Sequence, residues 1–571
     1  MKLQDICKAW VLSHNVDEKT KAQAILMLND EEQLQACFGS SLTFGTAGLR
    51  GIMGPGTNRM NINTVCRATK GIGDYIVSLG REYMARGVVI AHDSRNNGTA
   101  FAEATALTLA ALGIKAYVFD ELRPTPELSF AVRELNAIMG INITASHNPK
   151  EYNGYKVYYE DGAQIAGELA DLLQRNIAAV DPLKVERMSK EEAVHSGLYV
   201  TVGKDFDEKY LASVMAEQLD MSDLSEEAKA LTVVYTPFHG TGYRLVPMMM
   251  HRLGINVATV EEQMIPDGEF STLKSPNPEE KAGFALGIEK AKKVGADLII
   301  ATDPDADRVG VGCLNAAGEI TLLTGNQIGV LLIDFIARRL RETGKMPPNP
   351  AVVTSIVSTR MAKAVCDKLG LKLFECLTGF KYIGEHIAAF EKSGEYNFMF
   401  GFEESYGYLK GTYARDKDAV VASMLIAQMA MYYKNKNMTL PMALEEMYKT
   451  YGYYTEKIVS LTIGGVDPKA NMDQMMANLR QNSPQKVGYN KVLRVGDFLE
   501  GAWKEGETLT PTDLPKSDVL YFVMEDDVSV IVRPSGTEPK VKLYLLAGGK
   551  SLADCESKIA FYEKEFGGML K

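Results

Sequence analysis

Three stretches of this 571-residue chain repeat one pattern, in which predicted strands and helices alternate and the central strand ends in a polar loop. The three loops begin near Thr144, Asp303 and Gly401. Alternation of strand and helix is typical of a mostly parallel sheet. Ligands bind such sheets at the carboxyl ends of the strands. The pattern therefore predicts a structural triplication of α/β blocks, although the blocks share no evident sequence identity.

The predicted blocks divide the chain into four domains, in agreement with a prior of about 150 residues per domain. The first, residues 1–206, carries a helical N-terminal extension over its first 40 residues. The second and third cover residues 207–320 and 321–453. Residues 454–571 differ, because strands predicted at 458–463, 518–524, 528–532 and 541–546 follow one another with few helices between them. This last domain is predicted to be α+β, with a largely antiparallel sheet.

Composition and charge exclude several classes of protein. Apolar residues make up 46% of the chain, which is ordinary for a soluble globular protein. Asp plus Glu outnumber Lys plus Arg by 73 to 62, so a nucleic-acid partner is not expected. The seven cysteines form no Cys-x-x-Cys pair, and the apolar run at 419–433 is too short to cross a bilayer. We expect a cytoplasmic protein without a targeting segment or a membrane partner.

Three aspartates, Asp303, Asp305 and Asp307, follow the central strand of the second block. In an extended chain alternate side chains face the same way, so the three carboxylates can converge on one cation. An all-oxygen site of this kind selects a hard ion such as Mg²⁺. An acidic loop that only caps a helix is the alternative. A calcium loop of the EF-hand type is excluded, because Arg308 occupies the position that requires glycine.

Ser146 ends the central strand of the first block and is followed by His147. The Ser146 hydroxyl is a candidate hydrolase nucleophile, but no Gly-x-Ser-x-Gly elbow surrounds it. We expect adjacent side chains on an extended segment to point apart, which makes His147 a poor direct base. If Ser146 is phosphorylated instead, a metal held by the three aspartates would neutralise the negative charge of the phosphate.

The segment from Arg533 to Lys540 offers a second anion site. It combines a guanidinium fork with the hydroxyls of Ser535 and Thr537 and the backbone N–H of Gly536. These groups suit a phosphate that is held without reacting. The glycine-rich segment around Arg50 would let the backbone approach a ligand, and Arg50 would supply a planar fork for an oxyanion. On this segment alone, a surface hairpin with one exposed arginine is the favoured interpretation.

The remaining candidates would act on the sugar or on protons. Glu403 and Ser405 follow the central strand of the third block and can hydrogen-bond to sugar hydroxyls. Lys156 and Lys381 lie in aromatic, glycine-containing segments. Partial burial of a lysine near other cations lowers its pKa and allows it to move a proton. Exposed lysines without such a role are the more common case.

Taken together, these motifs resemble the α-D-phosphohexomutase family over almost the whole chain. The matching segments are Thr144-Ala145-Ser146-His147-Asn148-Pro149, Asp303-Pro304-Asp305-Ala306-Asp307-Arg308, Gly401-Phe402-Glu403-Glu404-Ser405 and Arg533-Pro534-Ser535-Gly536-Thr537. Each motif alone is weak. Four of them in the family's order are specific.

The resemblance implies four domains around a central cleft, with one loop from each. It implies that Ser146 carries a phosphate and that one Mg²⁺ is bound by Asp303, Asp305, Asp307 and phosphorylated Ser146. A sugar 1,6-bisphosphate would be both intermediate and activator. The reaction centre would be lined by Arg50, His147, Lys156 and Arg308. The substrate would be bound by Lys381, Glu403, Ser405, Arg533, Ser535, Gly536 and Thr537.

The choice of sugar is less constrained than the reaction. The N-terminal extension, and Phe402 before Glu403, are similar to the longer branch of the family, which includes enzymes of glucose and of pentose phosphates. The expected reaction is interconversion of α-D-glucose 1-phosphate and glucose 6-phosphate, with pentose or mannose phosphates as alternatives. A phosphatase with Asp303 as nucleophile and a non-catalytic sugar-phosphate sensor are the rival classes. We expect a monomer or a small homo-oligomer.

Overall fold

The computed structural model describes residues 2–44, 48–464, 467–535 and 540–570. The chain begins with three short helices, α1 Leu3–Leu12, α2 Glu18–Leu26 and α3 Glu31–Phe38. Asp17 and Asp30 cap the second and third of them by accepting backbone N–H groups. Trp10 packs edge-on against Phe38 at 5.7 Å between ring centroids, so the predicted helical extension has a small core of its own.

The first sheet has six strands in the order β1-β5-β4-β2-β3-β6. These strands are β1 Leu49–Ile52, β2 Val88–His92, β3 Ala116–Phe119, β4 Met139–Ile143, β5 Tyr152–Tyr159 and β6 Tyr199–Val202. The helices of this part are α4 Ile62–Leu79, α5 Arg81–Arg86, α6 Gly98–Ala111, α7 Thr125–Glu134, α8 Gly167–Ala179, α9 Lys190–His195 and α10 Lys204–Ala216.

The second sheet has five strands in the order β11-β10-β9-β7-β8. They are β7 Thr232–Thr236, β8 Asn256–Thr259, β9 Leu298–Thr302, β10 Val309–Leu314 and β11 Ile320–Leu323. The accompanying helices are α11 Glu226–Lys229, α12 Gly242–Arg252 and α13 Ala285–Val294, with 3₁₀ turns at Glu261–Gln263 and Lys281–Phe284.

The third sheet has four strands in the order β13-β12-β14-β15. They are β12 Pro350–Ser355, β13 Lys372–Cys376, β14 Asn397–Glu403 and β15 Gly407–Leu409. Its helices are α14 Gly325–Glu342, α15 Met361–Lys368, α16 Phe380–Ser393, α17 Ala419–Lys434 and α18 Leu440–Tyr451. Helix α17 is buried along almost its whole length, as its uniformly apolar sequence predicts. Within the described chain, no helix is long and apolar enough to cross a membrane.

The three sheets share a four-strand core. In each sheet three parallel strands lie side by side, and the central strand that carries the polar loop (β4, β9 or β14) pairs with one of these parallel strands on one side and with an antiparallel strand on the other. The shared order is β5-β4-β2-β3, then β10-β9-β7-β8, then β15-β14-β12-β13. Every predicted polar loop is the connection from the central strand to its antiparallel neighbour. The predicted α/β class and the repetition of one pattern in three blocks are therefore confirmed. Each of the three sheets is mixed, with parallel and antiparallel pairs of strands.

The C-terminal part is one antiparallel sheet, β16-β23-β22-β21-β18-β19-β20. Its strands are β16 Tyr453–Thr462, β17 Lys486–Val487, β18 Asn490–Asp497, β19 Ala502–Glu505, β20 Thr508–Pro511, β21 Leu520–Met524, β22 Val528–Pro534 and β23 Lys540–Gly549, with helices α19 Pro468–Gln481 and α20 Leu552–Met569. The predicted antiparallel sheet is confirmed. Ile356 and Val357 of the third part pack in one apolar cluster with Ile531 and Tyr544, which joins this sheet to the rest.

Candidate active site

Loops from the first three sheets meet at the aspartates that follow β9. The hydroxyl of Ser146 donates to Oδ2 of Asp303 at 2.8 Å. The ammonium of Lys156 lies 2.8 Å from Oδ2 of Asp305, and that of Lys417 lies 3.2 Å from Oδ2 of Asp307. Residues separated by more than 100 positions in the sequence therefore form one buried polar cluster.

Ser146 has an unusual backbone conformation. Its φ is +51°, a left-handed value that residues other than glycine rarely adopt. The turn brings Nδ1 of His147 to 3.3 Å from the Ser146 hydroxyl oxygen. The expectation that these neighbouring side chains point apart is wrong, because it assumed an extended backbone. Burial, and then the guanidinium groups of Arg308 and Arg50, hold the pKa of His147 well below its ordinary value. The imidazole is therefore neutral near pH 7, and one of its ring nitrogens carries no proton.

The three aspartates present oxygens to one point. Suitable carboxylate oxygens of Asp303, Asp305 and Asp307 lie within 4.8 Å of one another. Oδ1 of Asp305 and Oδ1 of Asp307 are buried and have no hydrogen-bond partner among the described residues. Buried oxygens without partners are costly, and a hard cation such as Mg²⁺ satisfies them. The convergence comes from a turn, with Ala306 at φ +49°, rather than from the extended strand assumed in the sequence argument.

Electrostatic interactions within the triad differ from one carboxylate to the next. Burial and the two neighbouring carboxylates raise the pKa of Asp303 well above its ordinary value. Burial has the same effect on Asp305, but Lys156 outweighs it, so the pKa of Asp305 is lowered. A cation in the triad would relieve the repulsion that Asp303 experiences.

Lys156 and Lys381 differ in the direction in which their pKa values are shifted. Burial lowers the pKa of Lys156, but Asp305 and Asp307 outweigh burial and raise it overall. The suggestion that Lys156 has a lowered pKa is wrong for this reason. For Lys381, burial lowers the pKa by more than Glu385 raises it, so its pKa is lowered overall, as we expected from the sequence. At neutral pH Lys156 is a fixed positive charge.

Two arginines surround the Ser146 loop. A terminal nitrogen of Arg50 donates to Oδ1 of Asn148 at 3.1 Å, and Nη1 of Arg308 lies 2.8 Å from Oε1 of Glu279. Burial, and then Arg308, lower the pKa of Arg50. The two guanidinium groups are close enough for the charge of Arg308 to lower the pKa of Arg50. Together with His147, they are the kind of groups that can bind a phosphate on Ser146.

The metal loop is supported from both sides. Thr125, at the start of α7, donates its hydroxyl to Oδ2 of Asp305 at 2.8 Å and its backbone N–H to the Asp305 carbonyl at 2.8 Å. Asn142 donates to the Thr125 hydroxyl at 2.7 Å. On the other side Gly240 packs so closely that a Cβ there would lie 2.4 Å from the Cα of Pro304. These contacts leave Oδ1 of Asp305 as the free oxygen.

The third loop places Glu403 and Ser405 next to this cluster. Oε1 of Glu403 accepts the backbone N–H of Gly379 at 2.7 Å. Burial raises the pKa of Glu403, while Lys417 opposes the shift. Ser405 lies half-buried in the turn between β14 and β15. Lys417 was missed in the sequence, because nothing in the segment around it indicates contact with Asp307.

The C-terminal hairpin carries the fourth group. Arg533 lies near the end of β22, directly opposite Lys542 of β23. The backbone N–H of Ser535 donates to the Lys540 carbonyl at 2.8 Å. Burial lowers the pKa of Lys542; Glu404 opposes this shift and Arg533 adds to it. Gly536 and Thr537 lie outside the described residues. Lys542 was also missed, although its register with Arg533 could have indicated it.

Known proteins share this fold and these segments. Residues 41–184, 208–315 and 324–451 match domains I, II and III of the family described as phosphoglucomutase/phosphomannomutase, alpha/beta/alpha. A curated Staphylococcus aureus protein named phosphoglucomutase is 38% identical over 536 residues, which cover 93% of this chain and 94% of that protein.

Solved structures agree in fold. A phosphoglucomutase/phosphomannomutase family protein from Burkholderia thailandensis aligns with a TM-score of 0.65 at 19% identity, covering 93% of this chain and 97% of that one. The parafusin phosphoglucomutase from Paramecium, in its open form, aligns with a TM-score of 0.63 at 19% identity, covering 92% and 95%. The chain belongs to the phosphoglucomutase/phosphomannomutase family, the α-D-phosphohexomutases. It is accordingly an intramolecular phosphotransferase of the isomerase class.

Proposed function

We propose that this enzyme is a phosphoglucomutase, which interconverts α-D-glucose 1-phosphate and glucose 6-phosphate through phosphorylated Ser146 and glucose 1,6-bisphosphate. The observation that carries the proposal is the 2.8 Å contact between the Ser146 hydroxyl and Asp303, beside two buried carboxylate oxygens that have no hydrogen-bond partner among the described residues. The curated relative from Staphylococcus aureus carries the same name.

In this scheme phosphorylated Ser146 transfers its phosphoryl group to a hydroxyl oxygen of the sugar monophosphate. The O–P bond at Ser146 breaks, a new O–P bond forms on the sugar, and the sugar hydroxyl releases a proton. Ser146 then takes the other phosphoryl group from the bisphosphate. His147 is our candidate for moving the proton at the Ser146 oxygen, because its neutral Nδ1 lies 3.3 Å away.

Asp303, Asp305 and Asp307 would hold Mg²⁺, which supplies positive charge to the transferring phosphoryl group. Lys156 and Lys417 keep Oδ2 of Asp305 and of Asp307 in place. Arg50 and Arg308 would orient the phosphate on Ser146.

The other loops would bind the substrate. Glu403, Ser405 and Lys381 would contact the sugar hydroxyls. Arg533, Ser535, Gly536 and Thr537 would hold the phosphate that does not react, together with Lys542. Each end of the sugar must visit this second phosphate site, because the bisphosphate turns over between the two half-reactions. With sugar phosphates as substrates and seven buried free thiols, we propose a cytoplasmic location.

Intact-protein mass with peptide mapping tests the mechanism. We expect one phosphate on Ser146 after incubation with glucose 1,6-bisphosphate, and its loss on mixing with glucose 6-phosphate and Mg²⁺. Ser146→Ala is the control and should carry no phosphate. Steady release of inorganic phosphate that survives this substitution would show a phosphatase instead.

A substrate panel tests the sugar. Initial rates with glucose, mannose and ribose 1-phosphates, each with its own bisphosphate as activator, should be highest for glucose. Fastest turnover of a pentose or mannose phosphate would contradict the choice of glucose and leave the phosphoserine mechanism in place.

A further inference from the structure

Arg95 lies beneath the loop that carries Ser146 and is completely buried. Its Nη1 donates to the carbonyl oxygens of Pro149 at 2.8 Å and Tyr152 at 3.0 Å. Its Nη2 donates to the carbonyl oxygens of Ser146 at 2.5 Å and of Asn148. Four carbonyls of one loop therefore converge on one guanidinium. A planar fork with several donors can make these contacts, whereas the compact ammonium of a lysine cannot reach them all.

Asp93 connects this guanidinium to the other end of the loop. Its Oδ2 lies 3.3 Å from Nε of Arg95, and its Oδ1 accepts the Arg95 backbone N–H at 2.9 Å. Oδ2 also accepts the hydroxyl of Thr144 at 2.6 Å, and that hydroxyl accepts the Ser146 N–H at 2.8 Å. Both the N–H and the carbonyl of Ser146 are thus held by one network.

The second block closes over the same arginine. The ring of Phe270 lies 5.1 Å from the guanidinium carbon of Arg95, and Phe270 itself is buried. Gly268 lies against Asn96, so closely that a Cβ there would be 2.5 Å from the Asn96 nitrogen. Oε2 of Glu269 lies 2.8 Å from Nζ of Lys150. The turn at residues 267–270 therefore packs against the segment around Arg95 and places an aromatic ring beside its guanidinium.

We propose that Arg95 is a positioning residue for phosphoryl transfer, which holds Ser146 in the left-handed conformation that directs its hydroxyl toward Asp303. Ser146 has no glycine-like freedom at φ +51°, so its conformation depends on the contacts around it. Arg95 donates to the Ser146 carbonyl and to three further carbonyls of the loop, and within the described residues it forms no hydrogen bond or ion pair with Asp303, Asp305, Asp307 or the Ser146 hydroxyl. The kinetic part of this inference rests on the proposed function, whereas the conformational part does not.

Arg95→Lys tests the proposal, with Arg123→Lys as the matched control. Arg123 is also a buried, ion-paired arginine of the first block, but its hydrogen bonds go to Asp207, Asp120 and the Leu122 carbonyl. We expect Arg95→Lys to lower kcat by about 10²-fold with KM little changed, since a small misplacement of reacting groups has that effect. Arg123→Lys should lose thermal stability and keep kcat near the wild-type value.

Hydrogen exchange gives a second readout that needs no substrate. Peptides covering residues 144–152 should exchange faster in Arg95→Lys and not in Arg123→Lys. If Arg95→Lys does not fold, Phe270→Leu replaces it, and the same peptides should exchange faster there. Unchanged exchange of this loop, or a kcat of Arg95→Lys that stays near the wild-type value as it does in the control, overturns the inference. Failure of the proposed function is seen separately, as a wild-type protein that never acquires a phosphate on Ser146.

Discussion

Lys156 and Asp305 form a buried ion pair, with Nζ 2.8 Å from Oδ2. The lysine comes from β5 of the first sheet and the aspartate from the loop after β9 of the second. Oδ2 of Asp305 is thereby paired with a fixed cation, whereas Oδ1 of Asp305 remains available to bind a metal. This pair offsets part of the negative charge of the metal loop and leaves Oδ1 as the oxygen that Asp305 can offer to a metal.

Replacing Lys156 should strengthen metal binding while it impairs catalysis. The Lys156 ammonium and a Mg²⁺ bound at Asp305 repel each other. Removing the ammonium in Lys156→Met should therefore lower the Kd for Mg²⁺ by about tenfold. Calorimetric titration of Mg²⁺ into the protein measures this change. Lys150→Met, which removes an exposed lysine paired with Glu269, is the control and should leave the Kd unchanged. Weaker Mg²⁺ binding by Lys156→Met would contradict this account of the pair.

Gly240 should be needed for the shape of the metal loop. A Cβ at this position would lie 2.4 Å from the Cα of Pro304, so Gly240→Ala must displace the loop that carries Asp303 and Asp305. We expect weaker Mg²⁺ binding from a folded protein, measured by the rise in Tm on adding Mg²⁺. Gly567→Ala, on the last helix with open space around it, is the control. A Gly240→Ala protein that binds Mg²⁺ like the wild type would show that the loop can move aside.

His147 should act as a neutral base over the whole physiological range. Because its pKa is held well below 6.5, kcat should stay level as the pH falls from about 8 to about 6. His147→Gln should lower kcat by about 10²–10⁴-fold. The measurement is kcat against pH for both proteins with saturating substrate. A wild-type decrease centred near pH 6.5 that is missing in His147→Gln would show an ordinary histidine.

Glu127 should make the protein less stable at high pH. It is completely buried on α7, neither carboxylate oxygen has a hydrogen-bond partner among the described residues, and burial raises its pKa to about 8 despite the opposing charge of Arg123. The folded state therefore binds this proton more tightly than the unfolded state. Stability is fully present below the ordinary pKa near 4.5 and is lost as the pH rises to about 8.

The loss amounts to about 1.4 kcal/mol per pH unit within that window for this single group. Glu127→Gln should remove its contribution, so the variant loses less free energy of unfolding between pH 6 and pH 8 than the wild type does. Urea unfolding at the two pH values measures the difference. Glu134→Gln, an exposed residue on the same helix, should behave like the wild type. Equal pH dependence in wild type and Glu127→Gln would exclude Glu127 as the cause.

The sequence predicted the parts of the site that are encoded locally. Ser146, the three aspartates and Glu403 each follow a recognisable strand, and the structure brings their loops together. It did not predict Lys417 and Lys542, whose contacts come from distant segments. The left-handed backbone of Ser146 and the raised pKa of Lys156 also depend on tertiary contacts, since neither residue type indicates them. The antiparallel strand after each loop, β5, β10 or β15, was not predicted from the sequence.

Transfer of labelled phosphate through Ser146 tests the central claim most directly. The protein is incubated with glucose 1,6-bisphosphate labelled in both phosphates, freed of excess sugar, and mixed rapidly with unlabelled glucose 6-phosphate and Mg²⁺. We predict that the label is first found in the peptide containing Ser146 and then in glucose 1,6-bisphosphate and both monophosphates. Label that never enters Ser146, or that leaves it only as inorganic phosphate, would contradict the account.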